Sequence, residues 1–182
     1  RGKTGWSYSL SVTMDFNNDG VAEEYTAACT MPEKLKVDSF NITKKKVGEY
    51  TLYSLNISAQ DQENEENYYF GKYSINGVWY QKISKYIEFN DVSLNGLYVK
   101  NLSVWNFNDI QDKSKFSDDD AKDMVFMTSG DSMVVEFSNI SKAYFNFIDD
   151  CAHQKNGSNP MFGGPPANIS TNISNGARGF FT

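Results

Sequence analysis

The sequence predicts a mainly β protein: an antiparallel β-sandwich or barrel-like domain with one α-helix toward the C-terminus, over about residues 141–154. Three observations predict it. From Trp6 to Phe16 every second residue is apolar (Trp6, Tyr8, Leu10, Val12, Met14, Phe16), with Ser, Thr and Asp between them. That alternation turns one face inward and one to water, as only a half-buried strand does. Further apolar runs are punctuated by turn signals, among them Asn76-Gly77 and Asn95-Gly96. A single stretch, ISKAYFNFIDDCAHQKNG, carries helical spacing instead.

The elements follow in order. DFNNDG turns the first strand into a second, VAEEYTAACT, which Met31-Pro32 ends because proline has no amide hydrogen for a ladder. LKVDSFNI and EYTLYSLNISA read as two strands with Lys44-Lys45-Lys46 as the basic turn between them, and DQENEEN as an exposed charged loop. NYYFGKYSINGVWYQKI is a hairpin about Asn76-Gly77, a pair that tolerates the positive φ of a type I′ turn. After Asn95-Gly96 comes the strand LYVKNLSVWNF, then NDIQDKSKFSDDDAKD as a long polar loop, then the strand SMVVEFSN. In the helix, Ser141 is placed to cap. Ile140, Tyr144, Phe147, Ile148 and Cys151 share one stripe, and Gly157 lies just past the end.

Composition narrows the function classes. The 182 residues carry a formal net charge of −6, so the basic footprint of a nucleic-acid binder is missing. No apolar run is long enough to span a bilayer. His153 is the only histidine, which excludes a multi-histidine zinc centre; near a helix end it complements the carbonyl dipole. Cys29 and Cys151 allow one disulfide at most, or two buried thiols.

Candidate chemistry is sparse. Asp15, Asn17 and Asp19 repeat the first half of a calcium loop, yet Thr26 stands where a bidentate glutamate is expected, so a plain hairpin turn competes with Ca2+ binding. Asp118, Asp119 and Asp120, with Asp109 and Asp123 nearby, read as a solvated run or a hard-cation site. Tyr69, Trp79, Tyr80 and Trp105 are the ligand-binding candidates. Strand neighbours point to opposite faces, so Tyr68-Tyr69 and Trp79-Tyr80 each turn one ring from the core unless both faces are covered. Exposed rings stack on a sugar or fill a partner's pocket; cross-strand pairing is the alternative. No carboxylate pair is singled out, so no enzyme and no catalytic residue is expected. A carboxylate-based hydrolase stays as an alternative.

GKTGWSYSLSV with YTAACTMP, ENYYFGKY, EFNDVSLNG (Asp91, Leu94, Gly96) and the block from GDSMVVEF through NPMFGGPPANISTNISNGARGFFT together resemble a family of bacterial outer-membrane surface lipoproteins encoded beside TonB-dependent receptors. Met161 stands where that family's terminal block carries Phe. The resemblance implies a non-catalytic, lipid-anchored component of a nutrient-uptake system at the cell surface, with an outer-membrane receptor as partner and a glycan or peptide as ligand. A carbohydrate-binding β-sandwich module is the alternative. It also implies that the chain starts well inside such a protein, without its lipidated cysteine. Residues 1–48 are then the end of an N-terminal immunoglobulin-like β domain or the first hairpins of the main domain. Residues 49–182 are the main β domain with its helix and a docked tail. NISNGARGFF is expected to return across the sandwich, turning at Asn175-Gly176 and approaching closely at Gly179. Docking Phe180 and Phe181 there contributes about 3–6 kcal/mol.

Overall fold

The structure, a computed structural model, describes residues 2–63, 65–156 and 169–182; Gly157, the expected helix stop, lies outside them. It is mainly β, 45% strand against 16% helix, and no sheet closes into a barrel among the described residues. The strands β1 (Ser7–Met14) and β2 (Glu23–Thr30) pair antiparallel as a separate two-stranded sheet. Next come β3 (Val37–Val47), β4 (Tyr50–Gln60), β5 (Tyr68–Ile75), β6 (Val78–Trp79) and β7 (Ile87–Asn90). After β8 (Tyr98–Asp109) and a 3-10 turn over Ile110–Lys115 stand α1 (Asp118–Lys122), β9 (Phe126–Met127), β10 (Met133–Ile140) and α2 (Lys142–Asn156).

One four-stranded sheet has the order β3-β4-β8-β9, with β8 and β9 parallel. In the other, β5 takes β10 on one edge and both β6 and β7 on the opposite edge. Their facing sides form the core. Tyr53, Leu55 and Ile57 of β4 with Val104 and Phe107 of β8 meet Tyr73 and Ile75 of β5. Tyr73, 2% exposed, is the hub: its ring stacks on Tyr80 at 5.1 Å and meets Trp105 and Phe107 edge-on at 5.2 and 5.0 Å. Gly71, two residues away, makes room for this cluster. A Cβ there would lie 2.5 Å from the Trp105 ring and 2.8 Å from both Ile87 and Phe137.

Two expectations need correction. Lys44-Lys45-Lys46 is not a turn. The three lysines continue β3 in register with Tyr53, Leu52 and Thr51 of β4, and the chain reverses at Gly48-Glu49 instead. The boundary expected at residue 48 therefore falls on the tip of the β3–β4 hairpin. The polar segment after β8 is not a plain loop either. Asp109 accepts from the Gln111 amide at 3.0 Å to start the 3-10 turn, and Ser117 caps α1 by accepting from the Asp120 amide at 3.1 Å. Local capping outweighs the segment's low hydrophobicity. The Asn76-Gly77 turn is as expected, with φ of 51° and 79°. Ser141 caps α2 through the Tyr144 amide at 3.2 Å.

Lys44 reaches over β4 to Asp109, 2.8 Å away, and Lys115 pairs with Asp112 at 2.8 Å. These bonds, with backbone amides of Gln111 and Thr51, hold both carboxyls below their ordinary value of 3.8. A carboxyl lowered in the folded state stabilises above its unfolded pKa and loses that contribution as pH falls through the folded value. The expected result is a Tm that drops on acidification below about pH 4, with Lys44→Met giving a shallower drop. Thermal unfolding at a series of acid pH values checks it.

Candidate functional site

Among the described residues, β10 is bonded along one edge only, to β5. Its other edge opens on a groove of about 840 Å³ between the β1–β2 hairpin and the body. One wall is the unbroken run Glu136 to Ile140 and the facing wall is the run Cys29 to Leu35. Successive strand residues point to opposite faces. Lining by every residue in a row therefore means that β10 offers its backbone edge, a line of amides and carbonyls fit to pair with another strand. Five residues of strand span about 17 Å.

Aromatic rings border this edge: Phe70, Tyr144 and Phe137 from the body, Tyr8 from β1 and Phe181 from the tail. Lys72 and Glu136 pair across the sheet at 2.6 Å, so the charge on that face is compensated. Asn139 adds an unmet group, since its Oδ1 is shut off from water and has no hydrogen-bond partner.

The C-terminal segment holds the groove's two sides at a fixed separation. On the hairpin side, the Ser174 amide donates to Thr26 O and the Thr26 amide donates to Ser174 Oγ, both at 2.8 Å. Asn172 Nδ2 donates to Ala28 O at 3.2 Å. On the body side, Phe180 packs between Tyr144 and Phe147 of α2 at 5.3 and 5.4 Å. The Ser170 amide donates to Asp150 at 3.0 Å. Asn172 also grips Phe181 by both backbone groups, donating to its carbonyl at 2.7 Å and accepting from its amide at 2.9 Å. The docking expected for the diphenylalanine is present, but the role expected of Gly179 differs. Its φ is 134° and a Cβ would meet nothing closer than Ile173 at 3.6 Å. Backbone conformation, not close approach, calls for glycine there.

The ring candidates do not gather into a platform. Tyr69 is 5% exposed and donates its hydroxyl to Asp61. Trp105 is packed on the core and donates Nε1 to Lys85 O at 3.3 Å. Tyr80 stacks inward on Tyr73. Trp79 alone lies on the surface, at 37% exposure, with Lys72 Nζ 5.3 Å above its ring. Tyr68, on the face opposite Tyr69, is covered by Phe145 of α2 at 5.0 Å. Both faces of β5 are therefore clothed, and cross-strand and helix–sheet packing accounts for three of the four candidates.

The Asp15–Gly20 turn uses its own oxygens. Asp15 accepts from the amides of Asp19 and Gly20 at 3.1 and 2.9 Å, and Asp19 accepts from Val21 at 2.8 Å. Asn17 bridges to Asp19 at 2.9 Å. This is the geometry of an Asx-stabilised hairpin turn. Asp119 pairs with Lys122 at 2.6 Å on α1. His153 is exposed and sits 3.1 Å from Asp149, at the end of α2. Cys29 lines the groove and Cys151 lies on α2; both are free thiols. Burial, then the Asp150 charge, pushes the Cys151 thiol up.

Two further carboxylates are buried. Asp61 and Asp91 are 7% and 1% exposed, at the end of the sandwich beyond β4 and β7. The sequence singles out Asp91 only as part of the EFNDVSLNG motif, and Asp61 stands in a polar stretch that looks solvated.

A family model matches the chain over residues 1–182; its description is a domain of unknown function, DUF4249. The chain belongs to DUF4249. No curated protein and no solved structure matches this DUF4249 chain. None of its described helices is long and apolar enough to cross a membrane.

Proposed function

We propose that this DUF4249 chain is a non-catalytic recognition component of a TonB-dependent nutrient-uptake system. In this reading the full-length protein is lipid-anchored at the outer membrane and works at the cell surface. The groove along β10 receives an extended polypeptide, either a loop of the receptor or a peptide ligand. The observation that carries the reading is the β10 edge, unpaired among the described residues and facing an open, aromatic-bordered slot. Backbone pairing supplies affinity in such a slot and the bordering pockets supply selectivity. The resemblance of the terminal blocks to receptor-associated lipoproteins supplies the system. Glycan stacking has less support, since Tyr69, Tyr80 and Trp105 are committed to the core.

The test is co-purification of the full-length tethered protein with an outer-membrane receptor. Ser138→Arg places a long charged side chain at the groove wall on an exposed position, so its unfolding free energy should stay within about 0.5 kcal/mol of wild type. Receptor recovery should fall severalfold with this variant. A full-length protein that faces the periplasm and brings down no receptor overturns the reading.

A further inference from the structure

The groove along β10 does not end at Ile140. It opens into a vestibule of about 370 Å³, and Pro32, Glu33, Asn139 and Ile140 line both. The charge changes at that junction. Along the groove lysines and glutamates balance, Lys34 and Lys72 against Glu33 and Glu136. In the vestibule Glu33, Glu65 and Glu66 stand against Lys142 alone.

Lys142 is already committed. It pairs with Glu66 at 3.0 Å, and the Tyr68 hydroxyl donates to the same oxygen at 2.8 Å. The Lys142 bond first, then the Tyr68 bond, holds the Glu66 carboxyl below its ordinary range. Glu33 and Glu65 are exposed and form no ion pair among the described residues. Glu33 accepts from the Gln62 side-chain amide at 3.4 Å, a neutral donor. Of three carboxylates against one ammonium, two negative charges are left over. The amino end of α2 also borders the vestibule, through Ser141 and Lys142. A helix end supplies about half a positive charge, too little to cancel them.

Strand direction decides which end of a guest lies there. β10 runs from Met133 to Ile140, and β5 pairs antiparallel with all three of its neighbours. A strand added to the open edge of β10 in the same manner runs the other way, so its amino end lies beside Ile140. Parallel addition would set a carboxyl end against Glu33 and Glu65, like charge on like charge. Antiparallel addition sets an ammonium there.

We infer that the β10 groove selects short peptides by their free amino end, which the Glu33 and Glu65 carboxylates attract at the mouth of the vestibule. This selection rests on the groove pairing proposed above. The ligand class is the extended oligopeptide with an unblocked amino terminus, as endoproteolysis releases it, with lysine or arginine favoured as its first residue. An internal receptor loop has no such end, so the occupant is a peptide and not the receptor. The contact is charge-based and open to water. Each glutamate therefore contributes a few-fold in affinity, and salt screens it.

The experiment passes a pool of random synthetic peptides of about seven residues, enough to fill the edge, over the immobilised chain. Half carry free amino ends and half are acetylated; all are amidated at the carboxyl end. Mass spectrometry reads which are retained. Free amino ends should be enriched about three- to tenfold, and the enrichment should shrink at about 0.5 M salt. Glu33→Gln combined with Glu65→Gln, both at exposed positions, should remove the preference while peptides are still retained. Ser138→Arg should abolish retention of both kinds. Retention without a preference for free amino ends, or a preference that survives the double glutamine variant, overturns the inference and leaves the groove reading standing. So does a groove that retains no peptide yet recovers an outer-membrane receptor in a way that Ser138→Arg disrupts. Retention that Ser138→Arg leaves unchanged puts the binding elsewhere and overturns the inference. No peptide retained and no receptor recovered overturns both readings.

Discussion

Tyr73→Ala is expected to destabilise the protein by about 3–5 kcal/mol, the range for removing a large buried ring. At this chain length that corresponds to a Tm lower by about 6–20 °C. The cause is specific. Tyr73 joins the sheet of β5 to the sheet of β4 and β8, and three rings, Tyr80, Trp105 and Phe107, pack directly on it. Deleting it leaves a void lined by rigid aromatics that relax poorly. Trp79→Ala, at the exposed ring nearby, should cost about 0.5 kcal/mol or less. Chemical denaturation of the two variants makes the comparison. Equal losses would show that the ring cluster is not the centre of the core.

The second large effect concerns the C-terminal segment. Ending the chain after residue 168 should free the β1–β2 hairpin from the body. That hairpin pairs with neither four-stranded sheet, and an isolated two-stranded hairpin is marginal in water. Limited proteolysis should cut between β1 and β3 in the shortened chain, while a resistant core beginning near β3 survives. Asn172→Ala is the milder version. It removes both bonds to Phe181 and the bond to Ala28, with an expected cost of about 1–3 kcal/mol. A hairpin that stays as protected in the shortened chain as in the intact one would refute this role.

Much of this was readable in advance, for identifiable reasons. Alternation set the strands, Asn76-Gly77 set its hairpin, and Ser141 with the Tyr144, Phe147, Ile148 stripe set α2, because each signal is local. The failures are non-local. Lys44, Lys45 and Lys46 look like a turn until Asp109 is placed within reach of Lys44, sixty-odd residues away in sequence. One ring of Tyr68-Tyr69 looks turned to solvent until α2 covers Tyr68. The free edge of β10 has no sequence mark at all, since an edge is defined by a strand that fails to arrive. Asp91 misleads for the opposite reason: a carboxylate in a polar stretch reads as surface, and burial is decided by the loop folded over it.

The bridge between Thr26 and Ser174 spans 148 residues, which has a bearing on biosynthesis. Translation proceeds from the amino end, so the first hairpin emerges long before the residues that fasten it exist. Its fastening waits until residues 172–174 are made. A product truncated before residue 172 is expected to display a loose hairpin, joined to neither four-stranded sheet, that quality-control proteases can seize.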